Sequence, residues 1–333
     1  MDNITHSLTG LVLSRAGLRQ FCPRAAILLL LSANVPDADI LLAHRSELRY
    51  LEVHRGYTHS LPFLPVMAAI CVLVTAAAFR EKLPWARAWL LCCLGVGSHL
   101  LLDWTNSYGI RLLLPFSPRW FHLDLNGLYD VWILAALAFA AVWPLFGALV
   151  SREIGDRKPG GRGTAWFALA FFLVFDLGRG ILHGRALAQM ESRLYDDAPA
   201  VQTAALPNSF TPLEWTGVVE TAKTYRLLRV NTAAELDVST GKVFYKPAVT
   251  PGLKAAESVP AFRYFLYFAR FPVWSELPVA TASGEDRRFD LTDLRFGMPG
   301  RGSFHCIALE DSQDRVLGWW YTFGSGTDLG WSQ

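Results

Sequence analysis

The sequence predicts an α-helical polytopic membrane bundle of about five to six helices, followed by a mainly β soluble C-terminal domain. Of the 333 residues, 52% are hydrophobic and only 18% are charged, below the roughly 25% that is typical of soluble domains. The mean hydropathy is +0.25. Long apolar runs fill the first part of the chain, and short strand-like runs fill the rest. We therefore predict a membrane-embedded domain over residues 1–185 and a β domain over 190–333.

The predicted helices follow one another along the first domain. Residues 3–18 form a weaker, amphipathic helix, and the apolar segment 24–43 carries Pro36 in its last third. The residue before a proline is steered out of helical geometry, so this segment should end or kink there. A spanning helix needs about 20 mostly apolar residues, and the segments 61–79, 87–109, 129–150 and 164–183 meet that requirement. The bundle has six helices if the first two cross the membrane, and four or five if these two are re-entrant.

The residue pattern changes from about residue 190, where long apolar runs give way to short strand-like runs. Runs such as GKVFYKP, RRFDLTDLRFG and RVLGWWYTFG resemble strands separated by Gly, Pro, Asn and Asp turns. The stretch PAFRYFLYFARFP is interpreted as a helix or a buried aromatic segment.

Charge placement predicts how the chain is oriented. The connections 15–24, 80–87 and 151–163 carry ten basic residues, whereas 44–60 and 111–128 carry five. Because basic connections favour the cytoplasm, the N-terminus and the β domain should face the periplasm or the cell exterior. The N-terminus lacks the basic region of a signal peptide, so no cleavage is expected. The net charge of +2 is too small to favour nucleic acid as a partner.

Ionisable side chains lie within or beside these apolar runs. Burial in a bilayer costs at least ~2.5–3.5 kcal/mol for each such group, so these groups should be paired or bound to a ligand. His99 and Asp103 are four residues apart, on one face of a predicted helix. They can contribute to one metal site or form an interhelical hydrogen bond.

Three other segments carry similar side chains. The sequence PDAD presents Asp37 and Asp39 at the predicted kink, and HRGYTHS places His54 and His59 around a glycine. His6 lies near the start of the first helix. The predicted topology brings all of these groups to one depth, near the outer face of the membrane. The candidate ligands are His6, Asp37, Asp39, His54, His59, His99 and Asp103.

A divalent metal accounts for this combination most simply, because it neutralises carboxylates and accepts imidazoles. His and Asp ligands fit Zn²⁺, Mn²⁺ or Fe²⁺ better than Ca²⁺. A bound metal would activate water for hydrolysis. We expect Asp37 to act as general base and Arg55 to stabilise a phosphate. A site near the interface favours a lipid or lipid-linked substrate, with an ester or phosphoester bond cleaved.

The motifs DNITHSLTG, PDAD, HRGYTHS and GSHLLLDWTNSYGIRLLLPF resemble, in this order over residues 1–120, the YdjM-like family of bacterial inner-membrane proteins. The β domain is similar to the extension of longer members, though more loosely. The resemblance implies a polytopic membrane protein labelled as a metal-dependent hydrolase, and it assigns the same seven ligand positions. It implies a reaction class and no substrate.

Two other functions are compatible with the sequence. Intramembrane Asp and His residues also build proton relays and ion paths, so the chain can be an ion- or proton-coupled transporter. Against this, the ionisable groups cluster on one side and the other halves of the helices are nearly all apolar. Alternatively, it is a non-catalytic envelope protein whose β domain binds a partner. Trp319 and Trp320 then form part of a binding face, although the core or an interfacial aromatic belt is the favoured place for them.

Overall fold

The computed structural model describes residues 1–43, 46–154, 161–281, 284–299 and 302–323. The chain divides into two units, each of which draws on several segments. The helical unit comprises Met1–Leu42, Val53–Gly184 and Pro207–Leu213, and the β unit comprises Ala43–Glu52, Arg185–Leu206 and Glu214–Gln333. Helices followed by two antiparallel sheets confirm the predicted fold class.

The first seven helices precede the sheets. They are α1 Asn3–Arg15, α2 Ala25–Ser32, α3 Glu47–Val53, α4 Leu64–Phe79, α5 Trp85–Trp104, α6 Val131–Ile154 and α7 Arg162–Glu191. Helix α1 begins where the Asp2 carboxylate accepts hydrogen bonds from the backbone N–H groups of Ile4 and Thr5, both at 3.0 Å. Such a cap satisfies N–H groups that have no partner within the helix.

Among the described residues, four helices are long and apolar enough to cross a membrane, namely Leu61–Phe79, Trp85–Trp104, Val131–Ala148 and Arg162–Glu191. All four were predicted from hydropathy. The second predicted helix is broken, since α2 and the 3₁₀ segment Val35–Ala43 meet at a bend of 44°. Pro36 lies at this break, as expected, and the bent pair makes a fifth span if it crosses the membrane.

Two helix ends differ from the prediction by five residues or more. Helix α5 ends at Trp104 rather than 109, and the chain then turns through Gly109, whose φ of 83° is unfavourable for other residues. Helix α7 continues to Glu191, eight residues beyond the predicted 183. Hydropathy marks where the apolar surface ends, whereas the backbone hydrogen bonds of a helix continue into polar sequence.

Two glycines let the helices that carry the candidate ligands approach closely. A Cβ atom on Gly10 of α1 would lie 2.7 Å from the carbonyl oxygen of Leu29 in α2. A Cβ atom on Gly95 of α5 would lie 2.0 Å from Oγ of Ser32. Small residues allow such backbone contacts between membrane helices. As a result, α1 and α5 both pack against α2, just before the bend.

The β unit contains two four-stranded antiparallel sheets, with strand orders β1-β2-β3-β4 and β5-β6-β7-β8. The strands are β1 Gln202–Pro207, β2 Glu214–Glu220, β3 Thr224–Asn231, β4 Lys242–Tyr245, β5 Pro272–Thr281, β6 Gly284–Asp293, β7 Phe304–Glu310 and β8 Val316–Phe323. Two short helices, α8 Pro251–Ser258 and α9 Pro260–Phe268, precede the second sheet.

Aromatic residues form much of the core of the β unit. The segment PAFRYFLYF is helical and forms α9, and it buries Phe262 and Phe265. The ring of Phe262 stacks on Trp274 of β5 with centroids 5.4 Å apart. Trp319 and Trp320 are 42% and 41% exposed, which leaves them at the surface of the β unit rather than in its core.

Candidate metal centre

The helical unit brings together side chains from four separate segments. Asp37 and Asp39 lie on the 3₁₀ segment after the bend, and His54 lies in the loop that follows α3. His59 ends the short 3₁₀ turn Tyr57–His59, while His99 and Asp103 lie on α5. Each of these side chains is at least 87% buried, and Asp37, with 13% of its side chain exposed, is the most accessible.

Four of the candidates form a compact group that we call the four-residue cluster, consisting of Asp37, His59, His99 and Asp103. One potential ligand atom from each lies within 4.8 Å of all the others. His59 Nε2 is 3.3 Å from Asp37 Oδ1 and 3.4 Å from Asp103 Oδ2. His99 Nε2 is 3.6 Å and 3.4 Å from the same two oxygens.

The other ring nitrogen of each histidine is engaged outside the cluster. His99 Nδ1 donates to the carbonyl oxygen of Ala33, 2.7 Å away. His59 Nδ1 lies 3.3 Å from Asp39 Oδ2 and 3.0 Å from the hydroxyl of Thr58. Donation from Nδ1 leaves the lone pair of a neutral imidazole on Nε2. Partners of this kind fix the tautomer and orientation of histidines that bind metals.

The two Nε2 atoms face each other at 3.1 Å. Two lone pairs at this separation repel unless a proton or a cation lies between them. A first-row metal binds imidazole nitrogen at about 2.0–2.1 Å, and a 3.1 Å separation lets both nitrogens bind one ion. The donor set of two imidazoles and two carboxylates therefore fits a divalent cation.

Asp39 lies behind the histidines. Its Oδ1 is 3.0 Å from His54 Nδ1, and its Oδ2 accepts from the backbone N–H of Arg55 at 3.0 Å and from Thr58 Oγ1 at 2.9 Å. Asp37, Asp39 and His54 also form a second group of potential ligands within 4.8 Å. Burial lowers the pKa of His54 more than its hydrogen bond to Asp39 raises it. The neutral imidazole is thereby favoured.

Asp103 divides its two oxygens between different neighbours. Its Oδ1 accepts from Arg55 Nη2 at 3.1 Å and Asn106 Nδ2 at 3.3 Å, and it contacts the Met1 amine. Its Oδ2 accepts no hydrogen bond from the residues that the structure describes. One oxygen is therefore held in place, and the other points towards both Nε2 atoms.

Arg55 was expected to hold a phosphate, and the structure places it against protein groups instead. The residue is 3% exposed. Besides Asp103, its guanidinium donates to Asn106 Oδ1 at 3.1 Å and to the carbonyl oxygen of Gly109 at 3.3 Å. It also lies 4.6 Å from the centre of the Tyr108 ring. These contacts suit a residue that positions Asp103.

His6 lies beside the four-residue cluster and belongs to neither group of potential ligands. Its ring stacks on His99 with centroids 3.8 Å apart. Its Nε2 is 3.5 Å from Asp103 Oδ1 and 3.2 Å from the carbonyl oxygen of Met1. His6 thus packs from α1 against the ring of His99.

Asn106 was not singled out from the sequence. Its side-chain oxygen accepts from Arg55 and from the backbone N–H of Tyr108 at 2.9 Å, and its nitrogen donates to Asp103. It therefore links the carboxylate to the turn that follows α5. Its place three residues after Asp103, in DWTNSYG, was the available signal.

These features define a polytopic membrane protein with a buried His/Asp cluster suited to a divalent cation. The chain belongs to the YdjM inner membrane protein family, whose model matches residues 1–183. The family resemblance predicted from the motifs is thereby confirmed. The family also places the protein in the inner membrane.

The chain is also similar to two curated proteins. Inner membrane protein YbcI of Escherichia coli (strain K12) is 35% identical over 123 residues, which are 35% of this chain and 69% of YbcI. The Bacillus subtilis (strain 168) protein named Uncharacterized protein YfhP is 25% identical over 213 residues, 60% of either chain. This chain therefore spans less than two thirds of YfhP. No solved structure matches the chain significantly.

Proposed function

We propose that the protein is a metal-dependent hydrolase of the bacterial inner membrane that cleaves an ester or phosphoester of a lipid or lipid-linked substrate. The observation that carries this proposal is the pair of Nε2 atoms that face each other at 3.1 Å, flanked by two carboxylates. A buried arrangement of this kind is unfavourable without a cation.

Charge supports the same conclusion. Among the described residues, the three carboxylates of Asp37, Asp39 and Asp103 outnumber the two cationic groups that contact them, namely the Arg55 guanidinium and the Met1 amine, which both lie on Asp103. A divalent cation offsets the remaining negative charge. Zn²⁺, Mn²⁺ and Fe²⁺ all accept this donor set.

Each residue then has a distinct task. His59, His99, Asp37 and Asp103 would hold the ion, which would lower the pKa of a bound water and polarise the ester or phosphoryl oxygen. Asp37 belongs to both groups of potential ligands and is the most accessible member, so its carboxylate would accept the proton of the attacking water. Asp39 orients His54 and His59. Arg55 and Asn106 position Asp103.

The test is metal analysis of the purified full chain and of its His99→Gln and Asp103→Asn variants, in parallel with hydrolysis of p-nitrophenyl phosphate and p-nitrophenyl acetate esters. His122→Gln is the matched control, since His122 belongs to neither group of potential ligands in the described residues. We expect the first two variants to lose bound metal and hydrolysis, and the control to retain both. Unchanged metal in both cluster variants would contradict the proposal.

A further inference from the structure

An elongated apolar cavity of about 330 Å³ lies between α1, α5, α6 and α7 of the helical unit. Its volume is at the lower end of the roughly 300–1,000 Å³ range of small-molecule sites. On α5 its lining runs from Cys93 to Leu102. Nine residues of helix rise about 13.5 Å, so the cavity extends along the helix axes.

The lining is suited to hydrocarbon. Leu13, Leu137 and Phe172 provide apolar surface, and the two hydroxyls present are already satisfied within their own helices. Thr9 Oγ1 donates to the carbonyl oxygen of Thr5 at 2.8 Å, and Ser98 Oγ donates to that of Gly95 at 2.7 Å. An ordered water needs two to four polar partners, whereas these two hydroxyls already donate to carbonyl oxygens of their own helices.

One end of the cavity lining adjoins the four-residue cluster in sequence. Leu102 in its wall directly precedes Asp103, and Thr9 lies three residues after His6 on the same side of α1. From there the lining continues towards the start of α5 and the end of α1, away from the cluster. A head group at the cluster would therefore place its hydrocarbon tail along the cavity.

The cavity also has a lateral opening. Leu94 and Leu101 in its wall are 45% and 46% exposed on helices that are apolar enough to cross a membrane. In a bilayer, this exposed side meets hydrocarbon rather than water. A chain can therefore enter sideways from the membrane.

We propose that this cavity is an acyl slot, which binds one acyl chain of a phospholipid while the head group reaches the four-residue cluster. The inference rests on the proposed hydrolase function. It adds that the acyl chain is the part of the substrate that determines specificity. The slot selects amphiphiles with a long chain over soluble esters.

Gly97 provides a way to fill the slot. It lines the cavity, and a Cβ atom there would come no closer than 3.9 Å to its nearest neighbour, a methyl carbon of Leu64. A Gly97→Leu side chain therefore adds bulk at the cavity wall without a backbone clash. Gly147→Leu on α6 is the matched control, because Gly147 also has open space around it and does not line the cavity.

The test uses the full chain in phosphatidylglycerol nanodiscs that contain a phosphatidylglycerol with a diazirine at the end of one acyl chain. After photolysis, mass spectrometry maps the labelled peptides. In the unmodified protein, label should concentrate on the lining segments 93–102 and 169–172. Gly97→Leu should lose most of that label, and Gly147→Leu should keep it. Mapping the unmodified protein tests the slot even if a variant fails to fold.

Label spread evenly over the lipid-facing helices, or label in the slot that Gly97→Leu leaves unchanged, would overturn the acyl slot. Metal content is measured on the same samples. Bound metal without slot labelling contradicts the slot alone, whereas slot labelling in a protein that never binds metal contradicts the hydrolase proposal alone.

Discussion

Asp39 and Asp37 are two residues apart, yet they face different parts of the site. Asp39 accepts hydrogen bonds from His54, Arg55 and Thr58, and its Oδ2 lies 3.3 Å from Nδ1 of His59. Asp37 contacts the Nε2 side of His59 at 3.3 Å. On this geometry we propose that Asp39 orients the ligands and that Asp37 binds the ion.

Replacing Asp39 with Asn should weaken metal binding without abolishing it. An amide is a poorer acceptor for the histidine N–H groups, and loss of such partners typically lowers metal affinity about 10- to 100-fold. Competition with a chromogenic chelator measures the affinity. Asp237→Asn is the control, as Asp237 is an exposed helix cap in the β unit. Equal affinity in Asp39→Asn and the unmodified protein would exclude an orienting role.

Arg55 shows that the contacts of a side chain cannot always be predicted from the sequence. An arginine between two histidines is a reasonable phosphate ligand, because its guanidinium binds such groups with two hydrogen bonds. In the structure those donors are directed to Asp103, Asn106 and Gly109. Sequence spacing reports which side chains are near each other along the chain, whereas these contacts depend on the turn that follows α5.

At the scale of elements, the approach of α5 to α2 determines where His99 and Asp103 lie. Gly95→Ala should destabilise the protein by about 1–3 kcal/mol, as overpacking in a tight contact does, because its Cβ would lie 2.0 Å from Ser32 Oγ. Thermal unfolding in detergent measures the change. Gly97→Ala on the same helix should have little effect, since its nearest neighbour is 3.9 Å away. Equal melting temperatures for the two variants would show that the contact is not tight.

The β unit contains a histidine whose charge should make its stability depend on pH. Burial alone would lower the pKa of His305, but the hydrogen bond of Nδ1 to Asp290 at 2.9 Å, the charge of Asp290 and the hydrogen bond to Gly302 together outweigh burial and raise the pKa. Nε2 is 2.8 Å from the carbonyl oxygen of Gly302, so both nitrogens donate when the ring is charged.

A pKa that is raised on folding stabilises the folded state fully below the unfolded value of about 6.5. This contribution is lost as the pH rises through the raised folded-state pKa. Melting curves of the full chain should therefore show a stability gap between the unmodified protein and His305→Gln that narrows as the pH rises above 6.5. A gap that widens with pH would contradict this assignment.

Hydropathy predicted the elements well because membrane spans must be long and apolar. It placed the spans 61–79 and 129–150 close to Leu61–Phe79 and Val131–Ala148. Pro36 correctly marked the break in the second helix. The separate roles of Asp37 and Asp39 could not be predicted in the same way, because in the sequence the two aspartates differ only in their position relative to the bend.

At the scale of the whole molecule, the charge bias predicts that the connection 80–84 faces the cytoplasm and that the β unit faces outward. A membrane-impermeant maleimide added to intact cells should label Ser239→Cys, which lies at an exposed position. It should label Lys82→Cys only after the cells are permeabilised. The unmodified protein gives the background of its five cysteines, four of which are buried. The reverse labelling pattern would invert the topology.

The central claim is that two imidazoles and two carboxylates of the four-residue cluster bind one divalent metal. X-ray absorption at the metal edge of the purified protein tests this claim directly. The account predicts a first shell of nitrogen and oxygen at about 2.0–2.2 Å that includes imidazole scattering. A shell containing sulfur at about 2.3 Å would place the metal on cysteine instead. That result, or the absence of bound metal after purification with Zn²⁺, Mn²⁺ and Fe²⁺ supplied, would contradict the account.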